Sequence, residues 1–155
     1  MRIAVGSDEQ GALPEAVVAL MRDAGHDVDL AGPLAGGAQE WAEVGAGIGR
    51  LVASGAADLG VVCCWSGTGV SIAANKVPGA RAALCGDAET ARMARRYNHA
   101  NVLVMSLRAT SEEVGREIVR AFLEEPPGTD DFDVRNVATV DALDDARPEP
   151  SSSTP

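Results

Sequence analysis

Val61-Val62-Cys63-Cys64-Trp65-Ser66-Gly67-Thr68-Gly69-Val70-Ser71-Ile72-Ala73-Ala74-Asn75-Lys76 is the stretch whose reading decides the fold. A β-branched apolar run ends in a thiol, a loop with two glycines follows, and a short helix is expected to start near Ser71. Strand, glycine loop and helix in that order describe a turn at the C-terminal edge of a parallel sheet, where α/β folds bind their ligands. Three kinds of chemistry meet there. Cys64 is a base or a nucleophile once it loses its proton. The amides of Gly67, Thr68 and Gly69 can converge on an anion or an enolate. The positive end of the following helix dipole favours negative charge at the same place.

Working outward, strand-like runs alternate with helix-like runs. Residues 3–6, 27–30, 59–63, 82–84 and 102–105 read as strands. Residues 13–24 read as a helix, with Pro14 in its first turn and Gly25 as its stop. Residues 41–53 are helical despite several glycines, which weaken a helix. A short helix over 71–76 ends before Pro78. Residues 87–97 and 111–124 are helical, the latter with Thr110 and Glu113 as a capping box and an apolar stripe of Val114, Ile118, Ala121 and Phe122. The alternation predicts a single α/β domain with a doubly wound, five-stranded parallel sheet covered by helices on both faces. Residues 134–143 are expected to add a last helix. Residues 1–143 form the domain, and the acidic, Pro- and Ser-rich residues 144–155 read as a disordered tail.

Composition sets further bounds. The chain has 155 residues, 46% of them hydrophobic but only 3% aromatic, so its core rests on Ala, Val, Leu and Ile. A net charge of −10 argues against nucleic-acid binding, which needs a basic face. No apolar run approaches the roughly 20 residues of a transmembrane helix. The first residues lead straight into a strand pattern rather than a signal peptide. Three cysteines without a framework spacing suit a reducing cytoplasm, and their spacing matches no zinc site.

The stretch also carries a resemblance. Cys-x-x-Gly-x-Gly-x-Ser-Ile-Ala-Ala-Asn-Lys-Val-Pro-Gly-x-Arg, here Cys64 to Arg81, resembles the core of the ribose-5-phosphate isomerase B and galactose-6-phosphate isomerase family. Arg2–Asp8 resembles that family's first strand and the aspartate after it. Val77–Cys85 resembles its fourth strand, and Asn98, Asn101 and Arg108 fall at its spacing around the fifth. The resemblance spans roughly residues 1–142.

The resemblance implies a cofactor-free aldose–ketose isomerase without a metal. Cys64 is then the base that moves a proton between C1 and C2 of the open sugar. Ser66 falls where a hydroxyl helps move the proton between oxygens, and Asp8 where an aspartate meets the sugar hydroxyls. Gly67, Thr68, Gly69 and Ser71 line the enediolate cradle. Ribose 5-phosphate is the default substrate. The resemblance also implies a homodimer, or a dimer of dimers, with sites built from both chains. Tyr97, Asn98, Arg108 and Arg135 would be shared across that interface.

The departures from the family share a direction. Glu9 stands where the family places a histidine that helps hold phosphate, Asp131 where it places one arginine of an Arg-His-x-x-Arg segment whose other arginine remains as Arg135, and Tyr97 where it has its ring-opening histidine. Trp41 replaces a tyrosine, and Trp65 follows the cysteine in place of a small residue. Two unit charges about 4 Å apart interact by roughly 4 kcal/mol at an effective dielectric of about 20. Carboxylates at positions 9 and 131 therefore work against a phosphate dianion and point to a substrate that is altered or lacks phosphate. Trp65 narrows the mouth of the pocket or offers a stacking face, unless it packs at an interface.

Bland readings stand beside these. Cys63 and Cys85 read as core thiols, Asp8 as a turn residue, His26 as an exposed residue and His99 as a loop residue with some reach toward the site. Two other functions stay open. Cys64 in an amide nest suits covalent catalysis, although no histidine is clearly placed to activate it. A binding protein that kept the scaffold and lost catalysis fits the missing histidines.

Overall fold

The computed structural model describes residues 1–145. Strands β1 (Arg2–Ser7), β2 (Asp27–Ala31), β3 (Leu59–Cys64), β4 (Ala82–Leu84) and β5 (Val102–Ser106) form one sheet in the order β2-β1-β3-β5-β4. All four pairings are parallel. The helices are α1 (Ala12–Asp23), α2 (Trp41–Ala53), α3 (Thr68–Asn75), α4 (Ala88–Asn98), α5 (Glu112–Glu124) and α6 (Asp131–Asp145), with a 3-10 turn over Gly32–Ala35. This is the doubly wound α/β domain that the alternation predicts.

Side-chain alternation sorts the strands onto two faces. Ile3, Val5, Val61, Cys63, Leu103 and Met105 pack with buried residues of α1, α4 and α5. Ala4, Val62, Cys64, Val102 and Val104 pack with α2 and α3. Both faces are covered, so β3 is buried along its whole length and reads as an unbroken apolar run.

Glycines that weaken α2 as a helix let α3 lie against it. A Cβ on Gly45 would stand 2.7 Å from the Val70 carbonyl oxygen, and one on Gly49 would stand 3.1 Å from that of Ala74. Two asparagines of the Cys64-to-Asn101 region are structural. Asn75 exchanges two hydrogen bonds with the backbone of Ala82, each 2.8 Å. Asn101 accepts from Arg81 N at 2.7 Å and donates to the Gly79 carbonyl at 2.9 Å. They hold the short edge strand β4 from outside the sheet.

Three local expectations shift. Helix α3 begins at Thr68, three residues ahead of the expected start, because Gly67 takes a left-handed φ of 78° and turns the chain at once. Ser111 caps α5, accepting from Val114 N at 3.3 Å, whereas Thr110 of the expected capping box is buried. Helix α6 runs through Asp145. Asp144, assigned to the tail, accepts a 2.7 Å bond from Gly79 N. The remainder of the expected tail, 146–155, lies outside the described residues. Among the described residues no helix is long and apolar enough to cross a membrane.

The chain leaves β1 for β2 on one side and returns to β3 on the other. A crevice therefore opens between the C-terminal ends of β1 and β3, where Ser7 pairs with Cys63. Asp8 follows β1 and Cys64 ends β3, so both residues lie at this crevice.

Candidate active site

Cys64 closes β3 on the face shared with α2 and α3, and only 4% of it is exposed. Cys63 faces the opposite core, as alternation requires. Burial, then the neighbouring Cys64 and Asp8, push the Cys63 thiol up to about 12. Burial and Asp87 push Cys85 up to about 11. Both are neutral core thiols near pH 7, which suits the bland reading of each. All three cysteines are free.

The loop after Cys64 is pinned by its backbone. The Cys64 carbonyl accepts from Gly67 N at 3.2 Å and Leu107 N at 3.0 Å. The Trp65 carbonyl accepts from Arg108 N at 3.0 Å and Ser106 Oγ at 2.9 Å. A Cβ on Gly67 would fall 2.5 Å from Leu84 Cδ1, so both φ and space demand glycine. Ser71 N is the first amide of α3 to bond backward, to the Gly67 carbonyl at 3.2 Å. The amides of Thr68, Gly69 and Val70 thus form the donor end of α3. Gly67 was expected to supply such an amide, but its N–H is committed to the turn, and that of Val70 takes its place in the trio. Ser66 Oγ and Thr68 Oγ1 lie 2.7 Å apart and share a proton donor. Ser71 sits half-buried in α3.

Asp8 carries the clearest sign of an unfilled role. Its Oδ1 is buried and has no hydrogen-bond partner among the described residues. Burial, then the charge of Glu9, raise its carboxyl above the usual value, while its own backbone N–H opposes them. A buried acceptor without a partner costs free energy that a hydroxyl donor would recover. Glu9 is exposed and lines a cleft of about 420 Å³ with Gln10, Leu107, Glu112 and Glu113.

Trp41 opens α2 and lays its ring on Gly69, where a Cβ would stand 2.8 Å from Cε3. Trp65 is exposed beside Cys64. Arg108 is exposed and lines a cavity of about 320 Å³ with Ser66, Cys85 and Ser106. Ser106 was missed by the sequence reading. A hydroxyl residue ending an otherwise apolar strand was the available signal, and the fold pairs it with Cys64.

Tyr97, Asn98 and Arg135 do not join this group within one chain. Tyr97 and Asn98 close α4 just before β5 begins, at the N-terminal edge of the sheet. Cys64 pairs with Ser106 at the other end of β5. At about 3.3 Å per residue the two edges lie on the order of 16 Å apart. Tyr97 and Asn98 instead line a cavity of about 460 Å³ with Arg81 and with Val137, Val140 and Leu143 of α6. Arg135 is exposed on α6, which is tied to that edge by an Arg81–Asp141 ion pair of 2.8 Å. His99 adopts φ 48° at the end of α4 and bonds Gly128 O through Nε2 at 2.9 Å, so it does not turn toward Cys64. His26, half-buried rather than exposed, precedes β2 at the same far edge. No imidazole of the same chain thus stands beside Cys64. No group of three or more His, Cys, Asp or Glu capable of holding a metal occurs among the described residues.

Comparison with known proteins gives a consistent picture. A family model described as Ribose/Galactose Isomerase matches residues 3–141. Ribose-5-phosphate isomerase B of Escherichia coli is 33% identical over 123 residues, covering 79% of this chain and 83% of that protein. A DNA damage-repair/toleration protein of Arabidopsis thaliana is 38% identical over 129 residues. That match covers 81% of this chain, which spans only 40% of the length of the plant protein. The type B ribose 5-phosphate isomerase of Trypanosoma brucei superposes with a TM-score of 0.83 at 39% identity, covering 92% of this chain and 97% of that one.

Proposed function

This chain belongs to the ribose/galactose isomerase family, and on that premise we propose that it interconverts an aldose and a ketose with Cys64 as the base. The observation that carries the proposal is the position of Cys64 against the donor end of α3, across the crevice from the unpartnered Asp8 Oδ1. Cys64 Sγ takes the proton from C2 of the open aldose and returns it to C1. Negative charge develops on the enediolate oxygen, where the Thr68, Gly69 and Val70 amides and the helix dipole stabilise it. The Ser66–Thr68 hydroxyl pair relays the proton from one oxygen to the other. Asp8 Oδ1 accepts a sugar hydroxyl and so gains the partner it lacks. No step calls for a cofactor.

Ribose 5-phosphate is the first substrate to test, since relatives on several branches bear that name. Arg108 would meet its anion from the cavity beside Ser66. Glu9, whose charge already raises the neighbouring Asp8 carboxyl, works against a dianion in the crevice, so an unphosphorylated sugar is the second candidate. Tyr97, Asn98 and Arg135 reach the site only from a second copy of the chain. That reading calls for a symmetric dimer, and exposed apolar surface supports it. Phe132, Val134, Val140 and Leu143 expose apolar surface on α6, and Ile72 and Leu84 do so beside the Cys64 loop. Two-fold pairing brings unlike patches together twice. In such a dimer Tyr97 serves ring opening and Arg135 adds to the anion site.

Paired substitutions of adjacent thiols test the base. Cys64→Ala should lower kcat by roughly 10²–10⁴, the usual worth of a general base. Cys63→Ala should leave kcat near the native value. Equal turnover in Cys64→Ala and the native protein, on the true substrate, would sink the mechanism.

A further inference from the structure

Aromatic side chains are scarce here, and they are not spent on the core. Of Trp41, Trp65, Tyr97, Phe122 and Phe132, only Phe122 is fully buried. Both tryptophans stand around the Cys64 loop. Trp65 is 59% exposed, yet its backbone is clamped by Ser106 Oγ and Arg108 N, so its indole projects from a fixed point. Trp41 is 47% exposed and braced against Gly69. The same loop carries the Ser66–Thr68 hydroxyl pair, and the unpartnered Asp8 Oδ1 belongs to the same crevice. Flat apolar faces beside hydroxyl and carboxylate acceptors suit a sugar, whose C–H face packs on an indole while its hydroxyls donate. An indole left this exposed carries a free-energy cost that ligand packing removes.

We propose that Trp65, with Trp41 packed against the same loop at Gly69, is a stacking wall that holds the carbon face of the sugar and sets specificity by that face rather than by an anionic group. The ligand class is a sugar of four or more carbons. The proposal rests on the isomerase reading for what happens to the sugar, but binding at the wall is measured apart from chemistry.

The chain has only two tryptophans, so fluorescence isolates the wall. In a Cys64→Ala, Trp41→Phe protein the only indole is that of Trp65. D-ribose and D-ribose 5-phosphate should both shift its emission and protect it from acrylamide, and inorganic phosphate should do neither. With Cys64 intact and an active substrate, Trp65→Ala should raise KM about tenfold, about 1.4 kcal/mol, with kcat within about twofold. Trp65→Phe should restore KM to within about threefold of native, because a smaller ring still stacks. The proposal is overturned if KM does not move in Trp65→Ala, or if neither sugar perturbs Trp65. It is equally overturned if Trp65 is already shielded from acrylamide without sugar, which would make it interface packing. Loss of all turnover in the native protein would sink the isomerase reading alone, since the titration would still decide the wall.

Discussion

Asp8 shows how a single residue can weigh on stability, as the proposed sugar-binding role would require. Its carboxyl is held above 3.8 by burial and by Glu9. The folded protein therefore binds that proton more tightly than the unfolded chain does. The resulting stabilisation is fully present below the unfolded value and is lost as pH rises through the raised folded value. At about pH 7 the ionised carboxylate then weighs against the fold. Asp8→Asn should raise Tm at about pH 7, with the gain fading as pH falls below about 4, while sugar binding weakens. Thermal melts across that range check both the sign and the window. Gly67 makes the opposite case, a backbone position with no spare room. Gly67→Ala should cost about 2 kcal/mol or more from the left-handed φ and the Leu84 contact, read by denaturant unfolding. The sheet-edge positions of Cys64 and Asp8 and the core face of Cys63 were legible in the sequence because a strand's two-residue period sets faces and its end sets the edge. The amide trio was off by one because a turn bond to the Cys64 carbonyl consumes the Gly67 N–H, and no local pattern announces that bond.

At the scale of elements, α2 separates two uses of glycine on one helix. Gly45 faces α3, with Val70 O and Ala73 Cβ within 3.0 Å of where its Cβ would stand, whereas Gly47 has nothing within 4 Å. Gly47→Ala should stabilise by up to about 1 kcal/mol through helix propensity alone. Gly45→Ala should destabilise by about 1–3 kcal/mol, because overpacking at α3 outweighs the same gain. Urea titrations of the two variants should therefore move in opposite directions; movement in the same direction would refute the packing role. Read as propensity, both glycines only weaken a helix, so the sequence showed that α2 exists but not why its glycines are there. The same limit explains α3 and α5. A left-handed glycine starts α3 early, and burial against Gly115 takes Thr110 out of the cap that Ser111 then fills.

At the scale of the molecule, strand order decides which residues can meet. Local patterns gave five strands and six helices in sequence, but the insertion of β5 between β3 and β4 is a long-range pairing. That order, with parallel strands throughout, sends Tyr97 and Asn98 to one edge of the sheet and Cys64 to the other. If a second copy completes the site, two inactive variants should rescue one another. Cys64→Ala mixed with Tyr97→Phe and reassembled should recover up to about a quarter of native turnover, since half the dimers are hybrid and each holds one intact site. Turnover that stays at the level of the parents would place all the chemistry within one chain. The central claim, Cys64 as the proton-moving base, is tested most directly by following solvent deuterium into C1 and C2 of the sugar by NMR in D₂O. The panel comprises ribose 5-phosphate, tetrose and hexose phosphates, and the corresponding free sugars. The account predicts exchange at these carbons for at least one sugar with the native protein and with Cys63→Ala, and its loss in Cys64→Ala. Exchange that persists undiminished in Cys64→Ala would contradict it.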